Sequence, residues 1–439
     1  MIKRRKFPKI FPGWWIVLTA GFAAMWGHGY HTFGFSALFK SIASELGFTR
    51  AVTSVAASIG RLEGGFEAPL IGWGTDRFGP RRIVLFGVFL FGLSLILMYF
   101  VNSLWAFYVV WGVMLGTGIN IAATTPLTTA IANWFVKKRG LAQGIRHTFT
   151  GLSPVLVLPL VTWLLITQGW RMACVTGGVI MWLVGLPLTW FFLKRHRPEY
   201  YGLLPDGATV EEEAADASQM IDRGVKYAAE VEEVEFTLRQ AMRTPAYWLL
   251  LVAHACFALV GPTIYLHVIP FLTDIGIDPL RAAGVMAITG LAGIPARLVF
   301  AFFADRLRRR HIRLLMGGAY FLQAAGITVF LLNQTTAMIY VWFILFNAGM
   351  GAGWVVWSLV VARYFGRKAF GSITGSLSLF MTPVGVAAPI YAGWVYDTTG
   401  SYITVFTLFA ALLAFAIILM SLALPPKPPA QVTNIRKIV

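Results

Sequence analysis

Charge is what this chain has least of. Only 13% of its 439 residues are Asp, Glu, Lys or Arg, against about 25% in an ordinary soluble domain. That shortage excludes a water-soluble globular protein. Cysteine is nearly missing as well. The two present, Cys174 and Cys256, each lie inside an apolar run, so neither a disulfide framework nor a paired-cysteine metal motif is available. No Walker loop and no HExxH is found, and no nucleophile or metal constellation stands out. The chain is therefore not read as an enzyme, and no cofactor or metal is implied. Short alternating segments are lacking too, which excludes a membrane β-barrel.

What is there is apolar length. Hydrophobic residues make up 57% of the chain, and the mean hydropathy is +0.70. A membrane helix needs about 20 such residues. Twelve runs qualify, over 13–39, 51–74, 83–101, 104–133, 141–167 and 172–193 in one half, and 246–273, 280–304, 314–332, 336–362, 371–396 and 402–424 in the other. Backbone groups in lipid must be satisfied internally, so each run is expected to be a helix. The basic start "MIKRRK" resembles a leader, but its apolar run continues to about Phe39. That is too long for a leader core, so it is taken as a retained first span. Residues 194–245 are polar and include "EEEAADASQMIDRGVKYAAEVEEVEF". They are expected to form a linker with one or two surface helices between bundles at 1–193 and 246–439.

The basic residues orient these spans. With both termini placed inside, Lys40, Arg50, Arg171 and Arg281 are the ones left in outer loops. Arg61, Arg146 and Arg297 fall within spans, and the rest of the 36 lie on the inner side. Basic loops favour the cytoplasm, so the expectation is a multi-pass protein of the cell (inner) membrane with both termini cytoplasmic. The net charge of +17 is then a topological signal, and no nucleic-acid partner is expected.

The two halves echo each other. "GTDRFGPRR" follows the second span and "FADRLRRR" the eighth. "WFVKKRGLAQG" precedes the fifth and "YFGRKAFGSITG" the eleventh, and both of those spans carry two prolines, Pro154 and Pro159, then Pro383 and Pro389. Such parallel repeats predict two pseudo-symmetric six-helix bundles with a site between them.

Gly72-x-x-x-Asp76-Arg77-x-Gly79-x-Arg81-Arg82 resembles the loop signature of the major facilitator superfamily, and Asp305 and Arg306 form a degraded second copy. "PGWWIV", "NWFVKKRGLAQGI", "GWR", "HVIPFLTDIGI" and "ARLVFAFFADR" are similar to the monocarboxylate transporters and the related oxalate:formate antiporters. The resemblance implies an all-α membrane protein with the major facilitator fold. It also implies alternating-access transport of a small organic anion such as lactate or pyruvate in symport with protons, and a monomer is expected to carry it out. The alternatives are an organic-anion exchanger of the oxalate/formate type and a drug exporter.

Ionisable residues inside spans are the functional candidates. Arg297 lies eight residues before Asp305, roughly 12 Å along a helix. Its guanidinium can hold a carboxylate bidentately and stays charged. The resemblance implies a substrate-binding arginine at this place. It also exposes departures: Gly293 stands where many relatives have an aspartate, the first span lacks their lysine, and Lys368 lies only at the start of the eleventh span. These departures disfavour a dianion such as oxalate. Histidines can substitute in proton handling. His28 and His31 are candidates for it, as is Glu67, whose alternative is a charge network of Arg61, Glu63, Glu67 and Arg146. His31, Tyr30, Asn120 and His267 are candidate substrate contacts, while His254 suits a core role. Trp354 and Trp357 are candidate cavity walls, and Gly112 and Gly116 a packing pair. Gly72, Asp76, Arg77, Gly79, Arg82, Asp305 and Arg306 are expected to gate the cytoplasmic side. In that arrangement Asp76 lies near the start of the eleventh span at Gly371, and Asp305 near the start of the fifth.

Overall fold

A computed structural model describes residues 11–47, 50–208, 217–229, 234–274 and 279–428. The side chains of Arg61 and His267 fall outside that description. No strand occurs among the described residues.

The long helices are α1 (13–46), α2 (Arg50–Phe78), α3 (Pro80–Phe100), α4 (Leu104–Trp134), α5 (139–168) and α6 (170–192) in the first half. The second half holds α7 (Pro245–Asp274), α8 (Pro279–Arg306), α9 (Ile312–Leu332), α10 (Thr336–Phe365), α11 (Phe370–Thr399) and α12 (Ile403–Leu422). α5 and α6 run on as one stretch, divided only at Gly169, whose φ of +83° breaks the helical path. A left-handed residue of this kind is cheap only for glycine. Gly79, also at φ +83°, makes the tight corner between α2 and α3, and Pro80 opens the next helix. Several helices run beyond the expected apolar limits, because polar ends continue the helical hydrogen bonding past the apolar stretch.

Several helices are locally loosened, among them three that carry candidate residues. α1 contains a π-helical segment, Gly29–Gly34, beside His28. α4 breaks its helical angles at Thr124, two residues before Pro126. α8 carries Pro295, two residues before Arg297. Proline removes one backbone donor and clashes with the preceding turn, and π-turns cluster at functional positions.

The buried apolar side chains fall into two clusters. One runs from Ile16 to Leu193. The other runs from Phe236 to Ala423, with Ala132 joining it. The halves meet where α2 packs on α11 and α5 on α8 and α10. Small residues allow this approach. A Cβ on Gly371 would lie 2.6 Å from the Gly72 carbonyl, and one on Gly144 would lie 2.8 Å from the Ala301 methyl.

The linker folds onto one end of the molecule. It contributes a short turn at Pro198–Tyr201, a helix at Ala217–Ala229, and a helix at Leu238–Met242 capped reciprocally by Thr237 and Gln240. Asp206 accepts from the amides of Val136 (3.2 Å), Lys137 (2.8 Å) and Lys138 (2.9 Å), and from the Tyr227 hydroxyl (3.1 Å). Phe236 N–H donates to the Phe365 carbonyl at 2.9 Å. The linker thus touches both halves, and the end it covers is called the linker face below.

Candidate functional site

At the linker face two aspartates cross from one half to the other. Asp76, at the end of α2, accepts from the amides of Gly371 (3.1 Å) and Ser372 (2.7 Å) and from the Ser372 hydroxyl (2.7 Å). Asp305, at the end of α8, accepts from the amides of Gly140 (2.6 Å) and Leu141 (2.8 Å). The first amides of a helix have no internal acceptor and sit at its positive end. Each carboxylate therefore finds a ready-made partner in the opposite half, at α11 and at α5.

Gly72 meets Gly371 of the other half as well, while the remaining motif residues stay on their own side. Arg77 lies over the Trp73 ring at 5.2 Å. Arg306 lies over the Phe302 ring and donates to the Phe302 carbonyl at 3.1 Å. Arg82 is exposed. Gly79 makes room for the Arg195 carbonyl, 2.6 Å from where a Cβ would stand. Arg367 adds a third crossing. It donates to the Asn133 carbonyl at 3.1 Å and pairs with the buried Glu199 carboxylate at 3.3 Å. Neither Glu199, Asp206 nor Arg367 stood out in the sequence, since each is one charge among many in polar loops.

Mid-helix, the charges are compensated differently. Arg297 threads between glycines. Its Nη1 lies against Gly151 of α5, and its Nε is 3.0 Å from where a Gly351 Cβ would stand in α10. A side chain at either glycine would evict it. Nη1 is buried and has no acceptor among the described residues. Nearby, the Tyr265 hydroxyl donates to Asn347 Oδ1, and Asn347 Nδ2 donates to the Phe343 carbonyl at 2.9 Å. Tyr265 lies within electrostatic reach of Arg297.

Across the interface stand Arg146 and His147 of α5. Arg146 Nη1 meets His147 Nε2 at 3.3 Å, and Nη2 donates to the Ala123 carbonyl. That carbonyl lies beside the Thr124 break in α4. His147 lies within electrostatic reach of Arg146, Arg297 and His28. Sequence reading passed over His147, although its place beside Arg146 within one span was a usable signal.

A second polar group joins α2 to α4. The Thr117 hydroxyl lies 3.0 Å from Glu63 Oε1 and 2.5 Å from Glu67 Oε1. Asn120 Nδ2 reaches Glu67 Oε2 at 3.5 Å. His31 borders this group, with its Nε2 3.4 Å from the Cβ position of Gly60. The expected network of these glutamates with Arg146 does not form among the described residues; its guanidinium ends on Ala123 and His147 instead.

The candidates thus divide. Arg297 and His28 gather with Arg146 and His147, while His31, Asn120 and Glu67 gather with Glu63 and Thr117. Tyr30 joins neither group: fully buried, it donates to the Ala173 carbonyl at 3.1 Å and packs on Trp26. His254 stacks on Trp357 at 3.8 Å and meets the Tyr320 hydroxyl at 3.1 Å, inside the second half's core. Trp354 stands edge-on to the same ring at 5.5 Å.

Comparison with known proteins agrees with this architecture. A family model described as the Major Facilitator Superfamily matches residues 17–389. The chain is 24% identical to monocarboxylate transporter 13 of Rattus norvegicus over 418 residues, covering 94% of this chain and 89% of that one. It is 25% identical to a probable sulfoacetate transporter, SauU, of Cupriavidus necator over 353 residues, covering 78% of each. The proton:xylose symporter XylE shares the fold, with a TM-score of 0.72 at 12% identity over 93% of this chain and 95% of that one. The twelve long helices among the described residues, with paired aspartates on the linker face, fit that match, and the chain belongs to the Major Facilitator Superfamily of membrane transporters, resembling its monocarboxylate transporter group.

Proposed function

We propose that this transporter carries small organic carboxylates, monocarboxylates such as pyruvate or lactate among them, in symport with protons. The observation that supports this most is Arg297. A buried guanidinium Nη1 with no acceptor among the described residues is costly to hold in a membrane protein. A carboxylate ligand relieves that cost with two charge-assisted hydrogen bonds. Relatives named as monocarboxylate transporters support the same cargo class.

The proton reading rests on Thr117. One hydroxyl has one proton to donate, yet Thr117 lies within hydrogen-bond distance of a carboxylate oxygen of both Glu63 and Glu67. One contact must then run the other way, from a protonated carboxyl to the hydroxyl. Two carboxylates this close resist ionising together, so the pair carries the proton that travels with the anion. A neutral anion-plus-proton load crosses an apolar barrier more easily than a bare charge.

Alternating access follows from the two latches. With Asp76 and Asp305 seated on α11 and α5, the halves are held together at the linker face, which the basic-loop asymmetry assigns to the cytoplasm. Release of both lets the halves rock about the central site. The test is uptake of labelled pyruvate, lactate, formate and oxalate into proteoliposomes, with and without an inward proton gradient. Gradient-stimulated pyruvate or lactate uptake is expected. Uptake of no carboxylate overturns the reading, and oxalate–formate exchange without gradient stimulation replaces it with the exchanger.

A further inference from the structure

The central site holds more positive charge than one carboxylate needs. Arg146 is 5% exposed, and its Nε has no acceptor among the described residues. Its other contacts are a backbone carbonyl and a histidine. A carbonyl is a dipole and does not neutralise a guanidinium. Arg297 reaches the same helix, with its Nη1 against Gly151, five residues after Arg146. The acidic groups of the same region, Glu63 and Glu67, are engaged with Thr117 and Asn120 on α2 and α4.

The contact with Arg146 also defines what His147 offers. A guanidinium has donors only. His147 Nε2 must therefore accept from Arg146, which leaves the ring proton on Nδ1 as a further donor. Arg297 Nη1 lies against Gly151. His147 is four residues earlier on α5, one turn or roughly 6 Å along the axis. Positive charge and donors thus come from both halves, with His147 about one helical turn along α5 from the glycine that Arg297 meets.

We propose that the favoured cargo is a short carboxylate bearing a second anionic group. Its carboxylate binds Arg297 of the second half, and its second anionic group binds Arg146 and His147 of the first. This rests on the carboxylate reading above and narrows it. Dianions, disfavoured by the sequence because Lys368 lies only at the start of the eleventh span, are favoured here because Arg146 of the fifth supplies the second cation. A two-headed anion would bridge the halves, so its binding would favour their closure about the site.

The probes are malonate and its monomethyl ester, which share a carbon backbone and differ by one negative charge. Each is tested as a competitor of labelled pyruvate uptake in proteoliposomes, and as a stabiliser of the purified full chain in thermal melts. Malonate is expected to compete at a concentration at least about tenfold lower than the ester, the scale of a charge-assisted hydrogen bond. It should also raise the melting temperature more. Arg146→Gln should erase most of that advantage, and His147→Asn should reduce it. Because Arg146 also holds the Ala123 carbonyl, the melt reports whether each variant is folded, and Arg146→Lys, which keeps the charge, should retain part of the advantage. Equal potency of malonate and ester in the unaltered protein overturns the inference. So does an equal loss for both in a folded Arg146→Gln. If pyruvate uptake depends on Arg297 while malonate has no advantage, only this inference fails. If neither compound competes or stabilises, the carboxylate reading fails with it.

Discussion

The linker face and the middle of the helices handle buried charge in opposite ways. At the linker face, Asp76 and Asp305 are each satisfied by amides of the other half. In the middle, Arg297 and Arg146 each keep a buried guanidinium nitrogen with no acceptor among the described residues. A satisfied charge holds one arrangement in place. An unsatisfied one waits for a partner from outside the chain. On the proposed reading, the difference separates the part of the machine that sets its state from the part that recognises what it carries.

The comparison breaks most visibly at Arg297. Arg297→Lys or Arg297→Ala should reduce carboxylate uptake to background while leaving the protein in the membrane, as a point charge does not replace the planar fork. Uptake assays paired with membrane immunoblots check this. Glu67→Gln comes next. It should abolish the stimulation by a proton gradient but leave carboxylate exchange running, which counterflow measurements can separate. Asp76→Asn should open the linker face. Weakening charge-assisted hydrogen bonds of about 1.5–3 kcal/mol shifts a two-state balance by about one to two orders of magnitude. Alkylation of a single cysteine introduced at Ser378 of α11, from the linker side, reads that shift as faster labelling. Asp305→Asn should produce a smaller one, since Asp305 engages two donors and Asp76 three. Tyr30→Phe sits at the bottom of the scale. It removes one hydrogen bond, to Ala173, at a cost of about 1 kcal/mol in stability, and should leave the KM for pyruvate within about twofold.

Much of this contrast was legible in the sequence. Apolar run length gave the helices, because lipid leaves the backbone few other choices. The repeated Asp-Arg pair pointed to the helix starts that Asp76 and Asp305 meet, since an anion and a helix N-terminus suit each other on general grounds. Arg297 stood out as an isolated charge in an apolar stretch. What was not legible depends on which face of a helix a residue occupies after packing. Tyr30 lies next to His31 in the chain, but the two side chains leave α1 in different directions, one toward Ala173 and one toward Gly60. His147 gains its meaning from Arg297, 150 positions away in the chain. The seal made by Asp206, Glu199 and Arg367 is a product of how the linker folds back, and no periodicity announces it.

The central claim is that Arg297 takes the carboxylate while the aspartates only set the state. Calorimetric titration of pyruvate into purified Arg297→Lys and Asp76→Asn tests it most directly. The account predicts no detectable binding to Arg297→Lys and binding to Asp76→Asn within a few-fold of the unaltered protein. Pyruvate binding to Arg297→Lys at unaltered affinity would contradict it.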